Sequence, residues 1–279
     1  MADFPTTRIE NLEVSRLVMG TNWWLGYSHH SKPKDDLIKA MMSAEKIAAI
    51  IEVFLRAGVN VMIGPRPLPK LLDAMKSAED RTGRGIVKIG TPGLNTAGTP
   101  AAYDENCRTL DDFAAIGIHV CMPHQCTTDA LVDRTTRSIR QMDRIAAMIR
   151  ERGMVPGLSN HAPEAPIYAD ETNLDVATYI QIYNAIGFLM QVEVDWVHRV
   201  IWKSRKPVLT IKPMAAGKLL PLPGLAFAWA TIRDCDLVCV GTQTPDEARE
   251  CIEISLSVLE RRPSAVELQK TRSKASIET

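Results

Sequence analysis

The chain has 279 residues, 46% of them hydrophobic, and its 33 Lys plus Arg balance 33 Asp plus Glu to a net charge of zero. That length can bury one large core, and the balanced charge argues against a nucleic-acid partner, which needs a basic face. No apolar run reaches the roughly 18 residues of a membrane span and no signal-peptide layout opens the chain. The expectation is a cytoplasmic protein that acts on a small molecule, with no membrane partner; a homo-oligomer is left open.

The first strand is predicted at RLVMGT (16–21), and GTNWWLGYSHHS (20–31) crowds two tryptophans, a tyrosine and two histidines directly behind it. SAEKIAAIIEVFLRAG (43–58) reads as a helix, with Ser43 as N-cap and Gly58 as C-cap. Strands follow at NVMIG (60–64), GIVKIGT (85–91) and GIHVCMP (117–123), and then one long helix at 127–153. MVPGLSN (154–160), TYIQIYN (178–184), PVLTIKP (207–213) and LVCVGT (237–242) complete eight strands. A last helix over 244–262 opens on Thr244 as cap and Pro245 at its first position. Eight strands alternating with helices over about 250 residues predict an α/β fold, a (β/α)8 TIM barrel, as one domain spanning 1–279. An open doubly wound sheet fits less well, because no G-x-G-x-x-G follows the first strand. Six cysteines with no CxxC pair read as reduced, mostly buried thiols.

In such barrels the chemistry gathers at the C-terminal strand ends. Those ends offer Asn22, Trp23, Trp24, Tyr27, His29, His30, Arg66, His124, His161, Asn184 and Lys212. His29, His30, His124 and His161 could converge on a divalent zinc, manganese or iron ion, or could hydrogen-bond substrate and loop backbone instead. Adjacent histidines diverge when extended, so only one of 29 and 30 would be a ligand. Lys212 could be a general base or form a Schiff base if burial lowered its pKa, and a salt-bridged or phosphate-facing lysine is the plainer alternative. Arg66 could hold an anion with its planar fork or face solvent. Trp23 and Trp24 are platforms for a sugar face or an aromatic ring, with one of the two expected to pack into the rim, and Asn22 and Asn184 would address hydroxyls or a carbonyl.

Over nearly its whole length the sequence resembles the aldo/keto reductase superfamily. IENLEVSRLVMGT resembles that family's N-terminal β-hairpin leading into the first strand, and AGVNVMIGP, VCMPHQ, GLSN, IQIYN, TIKPMAAGKL and VCVGTQTPDEARECIE resemble later segments in order. The resemblance implies a barrel oxidoreductase using NADP(H), with a catalytic tyrosine, lysine, aspartate and histidine. Only the histidine is matched, as His124. The aspartate falls on Ile63, no tyrosine stands in GPRPLPKLL, and Lys88 lies inside the third strand. Ser159, Asn160 and Gln181 match the residues that hold the nicotinamide amide, whereas its stacking aromatic corresponds to Ile211. Gly241 and Thr242, ahead of a capped helix, could hold a phosphate. Glu250 matches an adenosine-side glutamate, but the asparagine after it is Cys251.

Three readings follow. The first is a barrel enzyme acting on a small carbonyl or sugar-like substrate by acid–base or metal-assisted lyase, isomerase or hydratase chemistry, with His124, Tyr27, Lys212 and His161 as catalytic groups. The second is an NAD(P)H-dependent oxidoreductase with a relocated proton donor, Tyr27 or His124. The third is a non-catalytic barrel that binds a metabolite or partner.

Overall fold

The computed structural model describes residues 3–269 and 271–277. Strands β1 (Thr6–Ile9) and β2 (Leu12–Ser15) form an antiparallel hairpin, followed by β3 (Leu17–Gly20), helices α1 (Asn22–Leu25), α2 (Lys32–Met41) and α3 (Ala44–Arg56), β4 (Val61–Gly64), α4 (Pro69–Thr82), β5 (Val87–Gly90), α5 (Pro100–Ala115) and β6 (Val120–Cys121). Then come α6 (Gln125–Leu131), a second hairpin of β7 (Val132–Asp133) and β8 (Ser138–Ile139), α7 (Met142–Arg150), β9 (Val155–Pro156), α8 (Ala165–Glu171) and β10 (Tyr179–Ile182). The chain continues through α9 (Val194–Lys203), β11 (Val208–Ile211), α10 (Pro221–Thr231), β12 (Leu237–Val240), α11 (Pro245–Leu259) and α12 (Arg272–Ala275).

Eight strands pair in parallel in the order β10-β11-β12-β3-β4-β5-β6-β9, which makes the fold (β/α)8-type. The outer strands of that sheet meet without a regular ladder: Leu158 bridges Tyr179, and the Ala177, Leu158 and Ile180 amides donate to the Pro156, Thr178 and Leu158 carbonyls at 2.8, 3.0 and 2.8 Å. All eight predicted strands and the expected N-terminal hairpin are present.

Period-two alternation sorts the strand side chains into two cores. Val18, Val61, Ile63, Ile89, Val120, Met122, Leu209 and Leu237 fill the barrel with Ile9 and Val14 of the hairpin, while Met19, Met62, Cys121, Val208 and Val240 pack outward with the helices. The hairpin closes the N-terminal end of the barrel, where Thr7 donates to the Cys235 carbonyl at 3.1 Å and Glu10 pairs with Arg150 of α7 at 2.5 Å. Beside it, Arg16 donates to the Asp236 and Arg233 carbonyls at 3.0 and 2.8 Å.

The region predicted as one helix over 127–153 is instead α6, a hairpin and α7. The cause is local: the Asp133 carboxylate accepts from the Thr135 and Thr136 amides at 2.9 and 3.2 Å, an Asx-type turn that competes with helix. Arg137 and Gln141 then take positive φ. The expected caps of α3 and α11 are present, with Ser43 accepting from Lys46 N–H at 3.3 Å and Thr244 from Glu247 N–H at 3.1 Å.

Asp236 is the fully buried charge at the barrel's closed end, where its carboxylate accepts from Val208 N–H at 2.8 Å, from Arg233 N–H at 2.9 Å and from the Arg233 guanidinium at 2.6 Å. Asp236→Ala should therefore cost about 3–5 kcal/mol, by stranding a partly buried guanidinium. A urea denaturation midpoint that matched wild type would contradict this account.

Candidate active site

The C-terminal end of the barrel is organised around Lys212, the residue after β11. Its φ of +62° is left-handed, as are those of Ala215 and Ala216 three and four residues on. Non-glycine residues rarely adopt such angles, at a cost of about 1–3 kcal/mol each. The Ala215 amide donates to the Lys212 carbonyl at 2.9 Å and the Leu219 amide to the Met214 carbonyl at 3.2 Å, which holds the strained turn. Beneath it lie Ile211, Cys239 and Ile63, all apolar neighbours in the barrel interior.

The Lys212 ammonium has no ion pair and no hydrogen bond among the described residues, and desolvation pushes its pKa down. Only the neighbouring Cys239 opposes this electrostatically, and burial drives that thiol up to about 12. The Lys212 charge is felt at three histidines. Burial holds His161 down at about 4, with further lowering by Lys212, His124 and His29. Burial and then Lys212 lower His29, and burial lowers His124 against the opposing pull of Asp129. Lys212, His124, His161 and His29 are therefore one electrostatic cluster, and its histidines are neutral near pH 7.

Each histidine is placed by its own loop. His124 follows β6, and its Nδ1 accepts from Cys126 N–H at 3.4 Å, which leaves the ring proton on Nε2. His161 follows β9 and is held through its backbone amide by Asp129 at 3.1 Å, leaving the ring without a protein partner among the described residues. His29, also at positive φ, lies 3.4 Å from Asn22 Nδ2 through its Nε2. His30 is turned elsewhere, donating through Nε2 to the Ala216 carbonyl at 2.5 Å, and so ties the first loop to the turn after β11.

The two tryptophans lie on a helical turn, and one of them packs as expected. Trp24 is fully buried and donates from Nε1 to the Thr242 carbonyl at 2.7 Å. Trp23 covers Gly241, where a Cβ would come within 2.5 Å of the indole. Its ring centroid lies 5.9 Å from that of His30.

Other sequence candidates stand apart from the cluster. Tyr27 is half exposed, with Lys39 5.7 Å from its ring centroid and no partner for its hydroxyl among the described residues. Arg66 pairs with Asp112 of α5 at 2.9 Å across an exposed surface. Asn184 is fully buried, but both ends of its amide are taken by the Phe188 backbone at 2.8 and 3.0 Å, a loop-anchoring arrangement. Lys88 faces outward and donates to the Ile116 carbonyl at 3.4 Å, so it does not supply a lysine at the mouth.

The four-histidine metal reading is not supported by the geometry. Among the described residues no three His, Cys, Asp or Glu side chains converge as a metal site. The side chain of His30 is held by Ala216, and that of His124 by Cys126. The reading of the cysteines as mostly buried also needs correction. Cys121 and Cys251 are buried, but Cys126 is exposed and its Sγ lies 3.1 Å from His124 Nδ1. The spacing H-Q-C was the available signal, since it sets a thiol two residues from the barrel-mouth histidine.

The nicotinamide cofactor of the resembling family can be tested residue by residue. Ser159, Asn160 and Gln181 are buried together, and Asn160 Oδ1 has no partner, as an amide-binding corner requires. The remaining Asn160 and Gln181 amide groups are used inside the loop, donating to the Ala162 and Pro163 carbonyls at 2.9 and 3.3 Å. The phosphate end does not fit. Trp23 covers Gly241, Trp24 takes the Thr242 carbonyl, and Glu247 accepts from Gln243 N–H at 2.6 Å where an anion would sit. The acidic first turn of α11, Asp246 and Glu247, adds repulsion, and the nearby Arg249 is already paired to Asp246. Taken whole, these residues do not fit a dinucleotide.

No protein-family model matches the sequence, and no curated protein sequence matches it. Solved structures do. A protein from Pseudomonas aeruginosa, itself only provisionally assigned as an aldo-keto reductase, superposes with a TM-score of 0.65 at 15% identity, covering 91% of this chain and 94% of its own. The chain has an aldo-keto-reductase-like barrel fold. An aldo/keto reductase from Brucella melitensis gives 0.56 at 14% identity over 91% and 93% of the two chains. A truncated 3-deoxy-D-arabino-heptulosonate 7-phosphate synthase from Thermotoga maritima also gives 0.56, at 12% identity over 93% and 92%. The likeness fixes the fold and leaves the chemistry to the residues at the mouth.

Two measurements follow from the geometry. Between pH 6.5 and about 4 an unfolded His161 is protonated while the folded one is not, so unfolding takes up protons and stability falls as pH drops through that window. His161→Gln should flatten the acid limb of a stability–pH curve, and an unchanged limb would contradict the placement. Trp24→Phe should lower stability by about 1–3 kcal/mol or more, because the Thr242 carbonyl loses its donor and the smaller ring leaves part of the buried indole site empty. A thermal melt indistinguishable from wild type would show that this anchor is idle.

Proposed function

We propose that the barrel mouth is an acid–base site for small hydroxy-aldehydes and hydroxy-ketones, with Lys212 as its base. The observation that carries the reading is a mostly buried lysine without a carboxylate partner, set among histidines held in their neutral form. A lysine desolvated this way has a larger neutral fraction and a free lone pair near pH 7.

In this reading the substrate carbonyl oxygen accepts from His124 Nε2–H, the ring proton left by the contact of Nδ1 with Cys126. Lys212 takes the proton from the carbon next to the carbonyl, and the enolate charge is balanced by the His124 donor and the lysine's new charge. His161, neutral and without a ring partner, receives or returns a proton on the neighbouring oxygen. Proton return to the same or the adjacent carbon gives racemisation or isomerisation, and loss of a β-hydroxyl gives dehydration. Trp23, above the mouth and beside His30, supplies a flat wall for a sugar-like face. No step uses a metal, since no ligand set converges among the described residues.

The reductase reading draws on one observation, the unpartnered Asn160 Oδ1. The two are separated by a single assay on a panel of three- to six-carbon hydroxy-aldehydes and hydroxy-ketones in D2O. Wild-type protein should catalyse deuterium exchange at the α-carbon, and Lys212→Met should slow it by at least about 10²-fold. Equal exchange in the two proteins sinks the proposal, as does NADPH-dependent reduction of the same panel without exchange.

A further inference from the structure

Cys126 is the one exposed thiol among the described cysteines, and the acid–base reading leaves it without a role. Its Sγ lies 3.1 Å from His124 Nδ1. The backbone N–H of Cys126 donates to that same nitrogen at 3.4 Å, so Nδ1 carries a lone pair and can accept the thiol proton. The imidazole is fixed by its neighbours in turn: the His124 amide donates to the Pro92 carbonyl at 2.7 Å, and Asp129 favours the charged ring electrostatically. Cys126 is exposed, and beside its sulfur stands Gly93, where a Cβ would lie 3.8 Å from Sγ and where no side chain covers it. Three of the other five thiols differ sharply: Cys121, Cys239 and Cys251 are pushed by burial to about 12 and are inert. A thiol within reach of an imidazole lone pair, with room for an incoming carbon, has the parts of an activated nucleophile.

We propose that Cys126 and His124 form a nucleophilic thiol–imidazole pair that captures small α,β-unsaturated carbonyl compounds at the barrel mouth. The choice of electrophile rests on the reading of this mouth as a carbonyl site, since His124 Nε2–H and Lys212 would draw charge onto a carbonyl oxygen. Nδ1 takes the S–H proton, and sulfur forms a bond to the β-carbon. The C=C electron pair moves to the α-carbon and the carbonyl oxygen as an enolate. The imidazolium then returns its proton to the α-carbon. The sum is addition of S–H across the double bond, with no change of oxidation state and no further reactant. A thioether at Cys126 would occupy the space beside His124 and remove its thiol hydrogen bond.

The test uses the full chain and acrylamide as probe, with adducts counted at each cysteine by peptide mass spectrometry. At pH 6.5 the Cys126 adduct should form about tenfold faster than the glutathione adduct in the same tube. His124→Gln, or His124→Asn if the first fails to fold, should remove that advantage. Cys126 labelling no faster than glutathione overturns the proposal, and so does full labelling in the His124 variant. Acrylonitrile, which lacks a carbonyl, should show a smaller advantage, and an equal one overturns the carbonyl capture. Labelling is read without turnover, so its failure is distinct from a failure of Lys212-dependent deuterium exchange.

Discussion

The constraint on which the site depends is the dry, side-chain-filled interior of the barrel. Val18, Val61, Ile63, Ile89, Met122 and Leu209 line the interior with apolar side chains, and the hairpin residues Ile9 and Val14 shut the lower end. An ionisable group above such a floor loses much of its hydration and gains nothing in exchange. Lys212 is that group. The resembling family has an aspartate at the position of Ile63, and here an apolar side chain stands there without a charge to compensate the lysine. The left-handed φ of Lys212 fits the same logic. A strained backbone persists only where the surroundings over-determine it, and the turn hydrogen bonds to the Lys212 and Met214 carbonyls do so.

The segment over the mouth does two jobs that compete. Trp24 fastens the first turn after β3 to the Thr242 carbonyl at 2.7 Å, and His30 fastens its far end to Ala216 at 2.5 Å. Stretched between them, Trp23 rests on Gly241. These contacts hold an aromatic ring beside His30 in the loop that also carries His29 within reach of the Lys212 charge, and Trp23 covers the Gly241 backbone that a phosphate would need. One structural decision thus supplies the cluster and spoils the dinucleotide end. The scaffold alone does not dictate the outcome, since a synthase superposes on it at a TM-score of 0.56, as one aldo/keto reductase does.

Much of the fold was legible in the sequence because its signals are local. Runs such as NVMIG and PVLTIKP carry strand character in themselves, and Ser43 and Thr244 mark helix starts through side-chain caps that need no tertiary partner. The break at 132–139 was missed because apolar residues on both flanks continue a helical period, while the decisive Asx turn depends on one carboxylate, Asp133. The site was legible by position only. Strand ends pointed to Lys212, His124 and His161, but direction and partners are set by contacts distant in sequence. Asp112 removes Arg66, Phe188 uses up Asn184, and Ala216 diverts His30 from its neighbour His29. Cys126 was passed over because cysteine in a chain of this size usually reads as core, and its exposure follows from the turn at Pro123–His124.

The electrostatics of the cluster also say what kind of molecule it suits. Lys212 lowers the pKa of all three histidines, and His124 and His29 further lower that of His161, so a charged lysine works against charging any of the rings. Two carboxylates act on the group: Asp35, on His29, is occupied by the Ser28 amide and hydroxyl, and Asp129, on His124, is itself raised by burial and occupied by the His161 and Ala162 amides. The mouth is therefore short of negative charge rather than of positive charge. A ligand oxygen that becomes anionic as a bond is broken supplies what the protein lacks, and it would stabilise the charged lysine at the moment that lysine acquires its proton. A neutral ground-state carbonyl supplies much less. The arrangement favours the enolate over the ketone, which is the differential binding that acid–base catalysis at carbon requires.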